Sequence, residues 1–144
     1  MFSKIVVALN DLPEAQRSLH TATDVARSFD AKLTLVSVLG NLPAYAAFAI
    51  AFDPDAPDLF RGDRRDMQMN LHENATRLAG EHCVRATSAV IKRRDARATL
   101  RFLKDEKADR LVIGLHQHDV YQSRLWTAAY DLARDAPCSV LGVH

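Results

Sequence analysis

Arg110 to His144, RLVIGLHQHDVYQSRLWTAAYDLARDAPCSVLGVH, decides the fold class. Leu111-Val112-Ile113 is short and wholly apolar, the composition of a strand buried on both faces. Gly114 ends it and a polar loop follows. A helix then carries Leu125, Ala129, Leu132 and Ala133 on one side. Ala136-Pro137 stops that helix, because the residue before a proline is pushed out of helical geometry. Cys138 to Val143 is a final apolar strand. Strand, loop, helix and strand in that order make the last unit of an open α/β sheet. Ligands of such sheets bind outside the carboxyl ends of the strands, which is where the Gly114 to Arg124 loop falls.

Upstream, Lys4 to Leu9 is a β-branched, apolar strand. Asn10-Asp11-Leu12-Pro13 supplies capping side chains and a first-turn proline. The helix after it has Ala15, Leu19, Ala22, Ala26 and Phe29 in one apolar stripe. Lys32 to Leu39 is a second strand. Asp63 to His82 is predicted as a helix with Met67, Leu71, Ala75, Leu78 and Ala79 on one face. Ala86 to Ile91 is a third strand, and Asp95 caps a helix whose Ala96, Leu100 and Leu103 face inward. Right-handed crossovers turn this order into a parallel five-stranded sheet with helices on both faces, in one α/β domain over residues 1–144.

Between Gly40 and Gly62 both periods are lost, and Pro43, Pro54 and Pro57 punctuate the chain. The run AYAAFAIAF (Ala44 to Phe52) lies inside. A connection of that length is a flap that buries its own apolar residues, a lid, or a partner surface.

The net charge of +1 excludes strong nonspecific attraction to nucleic acid or to an anionic membrane. Cys83 and Cys138 have no paired spacing, so neither a disulfide framework nor a zinc cluster is expected and both are read as core residues. No apolar run approaches the roughly 20 residues of a membrane span. A soluble, cytoplasmic protein is expected.

The chain resembles the universal stress protein family. The resemblance is carried by Lys4-Ile-Val-Val-Ala-Leu, Ala31-Lys-Leu-Thr-Leu-Val-Ser-Val, Ala108-Asp109-Arg-Leu-Val-Ile-Gly114 and Ala136-Pro137-Cys138-Ser-Val-Leu-Gly-Val. It covers nearly the full length and leaves the flap aside. It implies strand order 3-2-1-4-5, the adenine nucleotide alpha hydrolase-like arrangement, and usually a homodimer. One branch of the family binds ATP or a related adenine nucleotide, and another does not.

Nucleotide-binding members carry Gly-x2-Gly-x9-Gly-Ser/Thr after the fourth strand. Glycines let backbone N–H groups approach phosphate, and a hydroxyl adds a hydrogen bond. Here Gly114 holds the first place and Gln117 the second. Counted back from Ala136-Pro137-Cys138, the last two places hold Trp126 and Thr127; counted forward, Thr127 and Ala128. Leu12 and Arg94 stand where the family has small residues. The sequence therefore predicts a non-catalytic stress-response protein with no cofactor, not a tight ATP binder, acting through its homodimer and protein partners. The alternative is an adenine nucleotide module, ATP or AMP, held by Asn10, Val38, Gly114, Gln117 and Thr127. A third reading is a metal-binding regulator through His116 and His118, whose spacing suits zinc or nickel once further ligands converge.

The dimer surface is expected at Cys138 to Val143. That strand lies at one edge of a 3-2-1-4-5 sheet and carries no lysine or proline to guard it.

Overall fold

A computed structural model describes residues 2–9, 13–38, 56–91, 96–115 and 132–144. In chain order these form β1 (Lys4–Leu9), α1 (Pro13–Phe29), β2 (Lys32–Val38), α2 (Ala56–Glu81), β3 (Ala86–Ile91), α3 (Ala96–Asp105), β4 (Arg110–Gly114) and β5 (Ser139–Val143). Residues 132–135 are helical as well. The five strands form one sheet in the order β3-β2-β1-β4-β5, and every neighbouring pair is parallel. This is the predicted topology.

The central strands read as continuous apolar runs because both of their faces are covered. Side chains alternate across the sheet. Ile5, Val7, Leu9, Leu33, Leu35 and Val112 pack with Ala22 and Ala26 of α1 and Ala75 and Ala79 of α2. Val6, Val36, Ile91, Leu111 and Ile113 face the other way, onto Leu103 of α3 and Ala108. The alanines of α1 and α2 let those helices lie close to the sheet.

Three helices end in the same motif. Asp30, Cys83 and Lys107 sit at positive φ, 50°, 61° and 53°. Each donates its N–H to the carbonyl three residues back, and the next residue reaches five back: Ala31 to Ala26, Val84 to Ala79, Ala108 to Leu103. This pairing satisfies the last helical carbonyls and buries an apolar residue just past the turn. Ala31, Val84 and Ala108 are accordingly buried. The motif corrects the expectation that Cys83 is a core residue. It occupies the left-handed position, which points outward, and its side chain is exposed.

The amino end of the sheet is closed. Asp109 accepts hydrogen bonds from the Ser3 hydroxyl (2.7 Å) and from the backbone N–H groups of Ser3 (2.6 Å) and Lys4 (2.8 Å). These bonds, the Ser3 hydroxyl's first, hold the Asp109 carboxyl below its ordinary range. The Arg110 guanidinium lies 3.8 Å from the centre of the Phe2 ring, and Phe2 meets Phe29 edge-on at 5.1 Å. Phe29 was expected in the buried stripe of α1. It is exposed, because it stands at the last turn, beyond the edge of the sheet, and packs on Phe2 instead.

Asp109→Ala removes three hydrogen bonds to an exposed carboxylate. We expect a loss of about 1 kcal/mol, kept small by solvent screening. The folded carboxyl titrates below the unfolded one. Its contribution is therefore complete above the unfolded value of about 4 and disappears as pH falls through the folded value. Urea unfolding of parent and variant at neutral and acid pH measures both, the two curves converging in acid.

α2 corrects a boundary. It begins at Ala56, not Asp63. Pro57 lies in its first turn, where no intrahelical donor is lost, so the proline does not exclude helix there. Of the segment expected as a flap, 56–62 is helical and 40–55 lies outside the described residues. Among the described residues, no helix is long and apolar enough to cross a membrane.

Candidate functional site

The carboxyl edge of the sheet is where the topology leaves room. β1 lies at the centre, β2 continues the order to one side and β4 to the other. The strand order therefore reverses between β1 and β4, and the crevice at such a reversal is the ligand position of open α/β sheets. Val38 ends β2, beside Ile91 of β3. Gly114 ends β4, beside Val143 of β5. Both predicted positions thus stand on the carboxyl edge, with β1 between their strands. Asn10, Gln117, Thr127, His116 and His118 lie outside the described residues.

Just past Gly114 the chain is still part of the sheet. The Leu115 N–H donates to the Val143 carbonyl at 2.6 Å. The Leu115 side chain lies over Gly142, where a Cβ would come within 2.5 Å of Leu115 Cδ1. Gly142 thus gives Leu115 its place on β5. The first backbone donor after Gly114 is committed to the ladder.

A second feature of this edge went unnoticed in the sequence. Ser37, one residue before the end of β2, is 3% exposed. Its Oγ lies 2.8 Å from His72 Nε2 of α2, and His72 is 8% exposed. The other ring nitrogen, Nδ1, is buried with no hydrogen-bond partner. Burial pushes the imidazole below its ordinary pKa, so the ring is neutral at pH 7. A helical stripe of His72, Ala75 and Ala79 was available as a signal; Leu71, chosen in its place, is only half-buried. A serine beside a histidine is half of a nucleophile–base arrangement. Among the described residues no carboxylate orients the ring, and both side chains are buried. The pair is a polar link between α2 and β2.

Cys138 precedes β5 and is half-buried. Burial, reinforced by the Asp109 charge, pushes its thiol pKa up, which removes the thiolate needed for nucleophilic work.

The family model described as the universal stress protein family matches residues 1–144. The chain belongs to that family. No curated protein matches it in sequence. Among solved structures, a universal stress protein family member from Burkholderia pseudomallei is 23% identical with a TM-score of 0.74, covering 98% of this chain and 95% of that one. One from Arabidopsis thaliana with AMP bound is 22% identical with a TM-score of 0.65, covering 98% and 90%. One from Archaeoglobus fulgidus in complex with dAMP is 17% identical with a TM-score of 0.66, covering 99% and 98%. At these identities the likeness establishes the fold.

In this universal stress protein Gly114 ends β4, while Gln117 and Trp126, read in the sequence at glycine places of the nucleotide-binding pattern, lie outside the described residues. A side chain at such a position occupies the space through which backbone N–H groups reach a phosphate.

Proposed function

We propose that this universal stress protein acts through protein partners as a homodimer, without catalysis and without tight nucleotide binding. The observation that carries this reading is the Leu115 N–H bonded to the Val143 carbonyl, with Leu115 packed over Gly142. The phosphate loop of a nucleotide binder needs free backbone donors directly after the fourth strand. Here the first of them belongs to the sheet, and Gln117 stands at the next glycine position. The buried Ser37–His72 pair supports the non-catalytic part, since its hydroxyl has no route to a substrate.

The dimer is proposed through β5. It is an edge strand whose Val140, Leu141 and Val143 remain partly exposed, with no charge along its length. Two-fold antiparallel pairing of β5 with its copy closes the assembly and hides the edge.

A second reading has an observation of its own: two solved relatives hold AMP and dAMP. In that reading, adenine nucleotide is held by Asn10, the backbone at Val38, Gly114 and Thr127. Isothermal titration with Mg-ATP and AMP separates the two. The first reading expects no saturable heat, and micromolar binding overturns it.

A further inference from the structure

The edge opposite β5 has a built groove beside it. β3 is the other outer strand. The Leu33 N–H bonds to the Arg85 carbonyl, and Leu33 pairs with Ala86 in a parallel register. In that geometry Arg85, Thr87, Ala89 and Ile91 turn their polar groups to β2, while Ala86, Ser88 and Val90 turn theirs outward. Alternation also puts the side chains of Ala86, Ser88 and Val90 on the α2 side: Ala86 joins the cluster with Ala75 and Ala79, and Ala89 and Ile91 join the one under α3.

Along that side runs an open groove of about 490 Å³ between α2 and β3. It is lined by Met69, His72, Glu73, Thr76 and Arg77 of α2 and by Ser88 of β3. Met69 is 63% exposed, and Val90, on the same face as Ser88, is 46% exposed. Exposed apolar side chains at Met69 and Val90 therefore adjoin a row of backbone donors and acceptors that have no partner among the described residues.

We propose that β3 and this groove receive an extended peptide segment of a partner protein, which adds as a sixth strand and places alternate apolar side chains beneath α2. The unpaired backbone calls for a strand, since only extended backbone satisfies alternating N–H and C=O groups along an edge. The charges disfavour a second copy of β3. A two-fold pairing runs antiparallel, so the Arg85 end of one strand meets the end of the other that leads, in sequence, into Lys92-Arg93-Arg94. With both ends of β3 basic in sequence, the fitting segment has an apolar centre and acidic flanks. The inference rests on the proposed action through protein partners. Its test uses no nucleotide, so a failed titration with Mg-ATP and a failed peptide titration are separate results.

The probe is a short synthetic peptide of alternating valine and threonine with aspartates at both ends, and the control is the same peptide with lysines at both ends. Each is titrated into the isotope-labelled full chain while backbone amide resonances are followed. The aspartate peptide is expected to bind saturably, with shifts concentrated at Ala86, Ser88, Val90 and the groove residues of α2, and at least about tenfold more tightly than the lysine peptide. Ser88→Pro removes one outward N–H and no ladder bond, a substitution that edge strands tolerate. It is expected to weaken the aspartate peptide about tenfold. Arg85→Glu, which leaves the strand backbone intact, is expected to narrow the preference for the aspartate peptide. No binding of the aspartate peptide, equal binding of both, or shifts away from β3 overturns the proposal. So does self-association of the parent chain that Ser88→Pro abolishes, because the occupant is then a second copy.

Discussion

His72→Ala lowers the stability of the chain by about 2 kcal/mol or more. Two effects add. Removing a ring that is 8% exposed leaves a cavity between α2 and β2. It also strands the Ser37 hydroxyl, which is 3% exposed and has Nε2 as its partner at 2.8 Å; an unsatisfied buried hydroxyl costs about 1–3 kcal/mol. One effect opposes them. Nδ1 is already buried without a partner, and deleting it relieves that penalty. His72→Phe with Ser37→Ala separates the contributions: it keeps volume, removes every orphaned polar atom, and is expected to lie closer to the parent than His72→Ala does. Urea midpoints of parent, single and double variants measure the set.

The same residue gives the protein a pH dependence. Burial lowers the folded pKa of His72 below the unfolded value of about 6.5, so the unfolded chain binds the proton more readily between the two. Stability is complete above about pH 6.5 and falls as pH drops through the lowered folded value. His72→Phe removes this slope, and unfolding at pH 7.5 and 5.5 measures it.

Leu103→Ala is expected to lower stability by about 2–5 kcal/mol. Leu103 is fully buried, and it is the anchor of α3 on the sheet face formed by Val6, Val36, Ile91, Leu111 and Ile113. It also supplies the carbonyl that receives the Ala108 N–H at 2.9 Å, in the turn that leads to β4. The variant keeps that backbone carbonyl; the lost side chain opens a cavity and loosens α3 on the sheet face to which Leu111 and Ile113 of β4 belong. Denaturant unfolding of the variant measures the loss. In the intact variant, amide exchange of β4 is expected to rise more than that of β2.

The strands were legible because both faces of a parallel sheet must be apolar, which leaves unbroken runs such as Leu111-Val112-Ile113. β3 is the informative exception among them. Its Thr87, Ser88 and Val90 are exposed, yet its β-branched content and flanking turn still mark it as a strand. Helix ends were harder. Asp30, Cys83 and Lys107 take the left-handed position usually given to glycine, so the stop signals at those helices are not written in the expected residue type. Cys83 was misplaced for that reason. The start of α2 was misplaced because a first-turn proline looks the same in sequence as a loop proline.

Of the site, the carboxyl-edge places of Gly114 and Val38 followed from topology. The Ser37–His72 link did not, because it joins positions 35 residues apart on a strand and a helix. Local period alone makes the histidine one of two equally good candidates for the inner face.

The most direct test of the account is titration of the purified chain with Mg-ATP and AMP, after mass spectrometry has checked it for carried-over nucleotide. The same titrations are run on the double variant Gln117→Gly, Trp126→Gly. The account predicts no carried-over nucleotide and no saturable heat for the parent chain, with any binding confined to the glycine-restored variant. Micromolar binding by the parent, lost in Asn10→Ala or Thr127→Ala, would contradict it and show that side chains hold the phosphate where glycines once exposed the backbone.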